Sequence, residues 1–275
     1  MTGDLHCHTR FSDGSMQPED LVAYARRAKI SCVAITDHDT MEGVGRACES
    51  GKNCGVTVIP GVEVSTFDYK RGKKAHLICY QPRNPRLLLE YCAETLRKRH
   101  EASLKIIEKV SRNYPLDLKT VAKYSSENGI IYKQHIIAAL MDMGYTLSLF
   151  GELFDSILSR KNGWAVFEPE YPDTREAVKL IRESGGFAVL AHPGVYGNFE
   201  LIGELCKLGL EGLEVFHPRQ SDADTRMASE AASRYRLLPT GGSDFHGMYA
   251  SRVNPLGTRM AGEAAVETLI SLGNG

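Results

Sequence analysis

The chain has 275 residues, enough for one large domain or a domain with an insertion, and its 43% hydrophobic and 24% charged content excludes a disordered protein. A formal net charge of −1 excludes a global basic field for tracking a long nucleic-acid duplex, so a phosphate-bearing ligand must be drawn by a local site. Seven cysteines without C-x-x-C spacing exclude a complete disulfide framework and read as reduced thiols of a cytoplasmic protein; no signal peptide precedes the first motif, and no apolar run nears the roughly 20 residues of a membrane helix.

The first predicted strand ends in His6-Cys7-His8, and a period of two puts both imidazoles on one face, a geometry suited to a metal ion. Asp13-Gly14 then reads as a turn whose carboxylate returns toward that ion or serves a neighbouring one. Pro18 starts a helix with Leu21, Val22, Ala25 and Ala28 at helical spacing. The apolar run Cys32-Val33-Ala34-Ile35 follows as a buried parallel strand running into Thr36-Asp37-His38-Asp39, where Asp39 with Glu42 predicts a capping box for the next helix. A third strand over residues 57–64 carries Glu63 near its end, and a fourth over 74–80 holds His76.

Residues 83–159 read as helices only, with helices over 87–110, 118–126 and 134–143, the last ended by Gly144. They are expected to form an all-helical insertion. The β-then-α rhythm resumes with a helix over 174–184 and a strand over 186–193 ending in His192. Then come a helix over 199–208, a strand over 212–218 ending in His217, a helix over 222–235, a seventh strand region over 237–247 containing Asp244 and His246, and a closing helix over 261–272. Repeated β-α units predict a parallel sheet with helical crossovers, and polar residues at the strand ends favour a barrel with its site at the C-terminal face.

Nine histidines are present; five of the predicted strands end in one, a sixth holds one inside, and the remaining strand carries Glu63. Scattered core histidines would not follow strand ends. Imidazole nitrogen with carboxylate oxygen suits zinc, manganese or iron, and the supply exceeds the needs of one tetrahedral ion.

In order, H-x-H with a following S-D-G, T-D-H-D, G-x-E, a lone strand histidine, A-H-P and G-S-D-x-H resemble the motifs of the PHP family, named for polymerase and histidinol phosphatase. The resemblance implies a distorted (β/α)7 TIM-like barrel over residues 1–82 and 160–275, with the helical insertion of residues 83–159 covering the active site. It implies two to three divalent metal ions (Mn, Fe or Zn): one held by His6, His8, Glu63 and Asp244, a second by Glu63, His76 and His192, and a third by Asp13, His38 and His246. The implied activity is hydrolysis of a phosphoester of a small phosphorylated ribosyl or nucleotide compound through a metal-bridging hydroxide. Asp37 and His217 are the candidate general acids, with Asp37 equally a partner that orients a metal-bound imidazole.

In the subgroup with an insertion here, a Gly-Arg-Pro-His segment grips phosphate; the matching segment is Tyr132-Lys133-Gln134-His135, so His135 is kept and Lys133 supplies a point charge in place of a fork. Arg99 and Arg219 are further candidates for a second phosphate. The substrate classes that the resemblance implies are nucleoside 3′,5′-bisphosphates, cyclic phosphates and, less well for want of basic charge, short RNA degraded from its 5′ end. An amidohydrolase is the rival reaction class, since H-x-H also opens those barrels, but Asp13 and the G-S-D-F-H ending argue for the phosphoesterase. A non-catalytic module predicts missing ligands, and none is missing.

Overall fold

The structure is a computed structural model and describes residues 1–273. Seven strands, β1 (Asp4–Cys7), β2 (Cys32–Ile35), β3 (Thr57–Asp68), β4 (Lys73–Tyr80), β5 (Phe187–Leu190), β6 (Gly212–Phe216) and β7 (Leu238–Gly241), pair in that order in one sheet. Helix α1 (Pro18–Arg27) follows β1 and α2 (Val44–Cys54) follows β2. Between β4 and β5 lie α3 (Arg86–Ser111), α4 (Leu118–Ala122), α5 (Lys133–Asp142), α6 (Glu152–Leu158) and α7 (Thr174–Glu183). The short α8 (Pro193–Tyr196) and α9 (Ile202–Cys206) join β5 to β6, α10 (Asp222–Tyr235) joins β6 to β7, and α11 (Glu263–Gly273) closes the described chain.

Strands β1 to β3 and β5 to β7 pair parallel, as the β-α rhythm predicts. The expected all-parallel barrel is corrected at β4, which runs antiparallel to both β3 and β5. A parallel crossover needs a dozen or more residues, and only residues 69–72 connect β3 to β4, so a hairpin forms instead. β3 is also 12 residues long, so Glu63 falls in its middle, and the outer half of the strand pairs with β4. The result is a curled mixed sheet. Its two ends meet through the segment after β7: His8 N–H donates to Phe245 O at 2.8 Å and Phe245 N–H donates to His6 O at 3.3 Å.

Residues 86–158 contain α3 to α6 and no strand, and Ile106, Val110, Val121, Ile136, Leu140 and Ile157 pack there into a cluster separate from those under the sheet. The helix expected over 118–126 stops at Ala122, where Ser126 and Asn128-Gly129 fold a turn with Gly129 at φ +80°. The expected capping box is also corrected. α2 begins at Val44 with Gly43 before it, and the Asp39 carboxylate instead accepts from Ser65 N–H at 2.8 Å and Arg99 Nη2 at 3.1 Å. Among the described residues no helix is long and apolar enough to cross a membrane.

At the far end of the β3–β4 hairpin the buried Asp68 accepts from Arg71 Nη1 at 2.9 Å and from Arg175 Nη1 at 3.0 Å. Burial alone would raise this carboxyl, but the two guanidiniums outweigh it and hold it below the ordinary value. A carboxyl held low in the folded state adds stability above its unfolded pKa and loses it as pH falls through the folded one. The thermal-midpoint advantage of wild type over Asp68→Asn is therefore expected to be constant near neutral pH and to shrink below about pH 4. An advantage that is flat down to about pH 2 would contradict the pairing.

Candidate metal centre

Glu63 is the hub of the site. Its Oε1 lies 2.9 Å from His76 Nδ1 and 2.9 Å from His192 Nε2, while its Oε2 lies 3.0 Å from His38 Nδ1 and 3.3 Å from both His6 Nε2 and His8 Nε2. Asp244 Oδ1 approaches His8 Nε2 at 3.2 Å and His6 Nε2 at 3.6 Å, and Asp13 Oδ1 meets His246 Nε2 at 3.1 Å. All nine residues named from the sequence as candidate metal ligands thus converge, in four overlapping groups, and within each group one donor atom per residue lies within 4.8 Å of the others. His8 joins Asp13, His38 and His246 in one of these groups, beyond the set expected from the motifs. Burial alone would raise the Glu63 carboxyl; the surrounding imidazoles, His38 foremost, hold it well below its usual range.

The residues fit a bound metal. His6 Nε2, His8 Nε2, His38 Nδ1, His192 Nδ1 and Asp13 Oδ1 are buried, and none of their contacts, those with the facing charged groups included, has hydrogen-bond geometry. Such orphaned polar atoms cost free energy in a core unless something ligates them. Mixed nitrogen and carboxylate donors are the set that divalent zinc, manganese and iron take.

Short-range packing aims these side chains. A Cβ at Gly14 would stand 2.4 Å from His8 O, and one at Gly242 would stand 2.4 Å from His6 N, so both loops lie against β1 only because those positions lack a side chain. His192 at φ +27° and Asp244 at φ +51° are held in a sparsely populated backbone region, as expected where side-chain placement outweighs backbone preference. Asp4, fully buried, accepts from Ser243 N–H at 2.8 Å and Gly257 N–H at 2.7 Å and so fastens the loop that bears Asp244.

Glu214, which belongs to none of the sequence motifs, accepts from His6 Nδ1 at 2.9 Å and from His192 N–H at 2.8 Å. It fixes the tautomer that leaves His6 Nε2 bare toward the cluster. Its signal in the sequence is a carboxylate between Leu213 and Val215 in an apolar strand, where it must find a partner.

The two candidate acids are both engaged. Asp37 is fully buried and accepts from Thr9 N–H, Thr9 Oγ1 and Ser12 Oγ at 2.6–2.7 Å, pinning the turn that delivers Asp13. His217 Nδ1 accepts from Arg219 N–H at 3.1 Å, which puts its proton on Nε2, 3.2 Å from Asp244 Oδ2.

Beside the cluster is a cavity of about 130 Å³ whose lining includes Asp13, Lys74, Arg99, Tyr132, Lys133 and Glu168. Arg99 does not lie on the wet face of α3: its Nη2 reaches Asp39 and Ser65, and its guanidinium lies 4.8 Å from the Tyr132 ring centroid. Lys133 is paired with Glu168. His135 is buried with Nδ1 accepting from Tyr132 N–H at 3.2 Å, and burial pushes its pKa down to about 4, so it is a neutral helix cap. Arg219 lines a second cavity across Gln134 with Asp244, His246 and Tyr249. Gln134 Nε2 donates to Asp13 Oδ2 at 2.8 Å, tying α5 to the cluster.

The curled α/β sheet and the candidate ligand set gathered on it, from strand ends and from within β3 and β4, fit a metal-dependent hydrolase. The chain belongs to the PHP domain family, whose model matches residues 4–189. It is 37% identical to phosphoribosyl 1,2-cyclic phosphate 1,2-diphosphodiesterase of Eggerthella lenta, over 94% of this chain and 99% of that one. It is 30% identical to the 5′-3′ exoribonuclease Rnm of Escherichia coli, over 88% of this chain and 84% of that one. Among solved structures, a candidate metal-dependent phosphoesterase of Bifidobacterium adolescentis superposes with a TM-score of 0.91 at 28% identity, covering 98% of this chain and 96% of that one.

Proposed function

We propose that the protein hydrolyses a phosphoester of a small phosphorylated ribosyl compound, with a cyclic phosphate diester as the leading substrate. The observation that carries this reading is the nine-residue cluster opening directly onto a cavity lined by Lys74, Arg99 and Lys133. The named activity of the Eggerthella lenta relative, similar along nearly its whole length, supports the cyclic ribosyl phosphate in particular.

In this reading His6, His8, Glu63 and Asp244 hold one divalent ion, Glu63, His76 and His192 a second, and Asp13, His38 and His246 a third. When bound, such ions make a coordinated water acidic near neutral pH and offset charge gathering on phosphoryl oxygens. Glu214 and His217 orient their partners His6 and Asp244, and Asp37 does the same for the turn carrying Asp13. These three are positioning residues. Lys133 and Arg99 attract the substrate's phosphoryl oxygens on one side of Gln134, and Arg219 faces the group on the other side. Residues 83–159 act as an insertion whose α3 and α5 wall the cavity, bringing Arg99 and Lys133 to it.

The test is product formation, separated and quantified by chromatography, from a panel comprising a 5-phosphorylated ribosyl 1,2-cyclic phosphate, a nucleoside 3′,5′-bisphosphate and a short 5′-phosphorylated RNA. The cyclic compound is expected to be hydrolysed with the highest kcat/KM. Preference for the RNA, the substrate named for the Escherichia coli relative, would replace it with the exonuclease reading. Turnover of amide substrates alone would overturn the reaction class.

A further inference from the structure

The cationic cavity beside the cluster already contains an anion, and that anion is part of the chain. Glu168 Oε1 lies 2.6 Å from Lys133 Nζ and its Oε2 lies 2.7 Å from Lys74 Nζ, one ammonium to each oxygen. The cations stand on regular elements: Lys74 in β4, Lys133 at the first position of α5, and Arg99 within α3. Glu168 instead lies between α6 and α7, in residues 159–173, where no helix or strand forms. Arg99 spends Nη2 on Asp39 and Ser65, but its Nε is buried with no hydrogen-bond partner among the described residues. Burial alone would raise the Glu168 carboxyl; Lys74 and Lys133 bring it down to about 2, so it is a full anion at neutral pH. Fixed cations, a buried unused donor and a carboxylate on an irregular tether make an anion site with a removable occupant.

We propose that Glu168 is the resident occupant of the cationic subsite of Lys74, Lys133 and Arg99, and that the non-reacting phosphoryl group of the substrate must displace it to bind there. The phosphoester reading supplies the identity of the group; the exchange itself does not depend on it. A phosphoryl dianion brings three oxygens to the two ammonium groups and the free Nε, where the carboxylate brings two. A monocarboxylate ligand gains nothing by the exchange, so Glu168 selects for phosphoryl groups over carboxylates as well as weakening binding overall.

The experiment is calorimetric titration of the metal-loaded protein with inorganic phosphate, for wild type, Glu168→Gln, Glu168→Ala and the double variant Lys74→Gln/Glu168→Gln. Removing the resident charge is expected to tighten phosphate binding by about tenfold in both single variants. The double variant is expected to lose that gain. Unchanged affinity in both single variants, or a gain that survives loss of Lys74, would overturn the proposal. Tighter binding in a protein that hydrolyses no phosphoester would leave the exchange standing and sink the reaction reading. Phosphoester turnover with unchanged binding would do the reverse.

Discussion

Glu63→Gln is expected to lower kcat/KM for phosphoester hydrolysis by about 10³-fold or more, roughly 4 kcal/mol of transition-state stabilisation. Among the described residues no other side chain meets as many of the candidate ligands: the Glu63 carboxylate lies within 3.3 Å of nitrogens from His6, His8, His38, His76 and His192. The amide keeps the volume but removes the negative charge and replaces one acceptor oxygen with a donor that faces imidazoles. Two of the proposed ions share this carboxylate, so metal content is expected to fall by about two per chain. The variant is expected to keep its circular-dichroism spectrum, because Glu63 sits in a β3 segment held by backbone pairing to β4 on one side. Retained metal with full activity would show that Glu63 is only a buried hydrogen-bond acceptor.

The second large effect is expected at Asp13, and it differs in kind. Asp13 stands on the turn after β1 and not in the sheet, 3.1 Å from His246 and 4.0 Å from His38, and it is tied to α5 through Gln134. Asp13→Asn is expected to remove about one ion per chain while leaving the ions at Glu63 in place, and to cut kcat by about 10² to 10³-fold. Loss of a single ion here, against loss of two from Glu63→Gln, separates a cluster of distinct sites from one diffuse acidic pocket. Equal metal loss in the two variants would contradict the division.

How much of this was legible in the sequence depends on the range of the interaction. His6 and His8 are readable because a strand repeats every second residue, and His38, His192, Asp244 and His246 because parallel strands deliver their ends to one rim. The antiparallel β4 is not readable from periodicity, since an apolar run has the same pattern in either direction; only the short connection at residues 69–72 carries that information. Asp39 misleads for a related reason: spacing to Glu42 imitates a capping box, while its actual partners, Ser65 and Arg99, are remote in the chain. Arg99 itself sits in the run Arg97-Lys98-Arg99-His100, where Arg97 is solvent-facing with Glu94 and Glu101, so composition cannot tell which arginine turns inward. Glu214 and Glu168 belong to no motif. The first shows itself only as a carboxylate stranded in an apolar strand, the second only once β4 and α5 are brought together around it.

The central claim is that this cluster holds more than one ion and that those ions are required for phosphoester hydrolysis. Metal content by elemental mass spectrometry, followed through stepwise chelation and re-addition of manganese, iron or zinc with phosphoester hydrolysis measured at each step, tests it most directly. The expected result is more than one equivalent per chain at full activity, with activity lost on chelation and restored as the ions return. Full phosphoester turnover at no more than one equivalent, or a protein that binds no metal and is unchanged in stability by chelation, would contradict it.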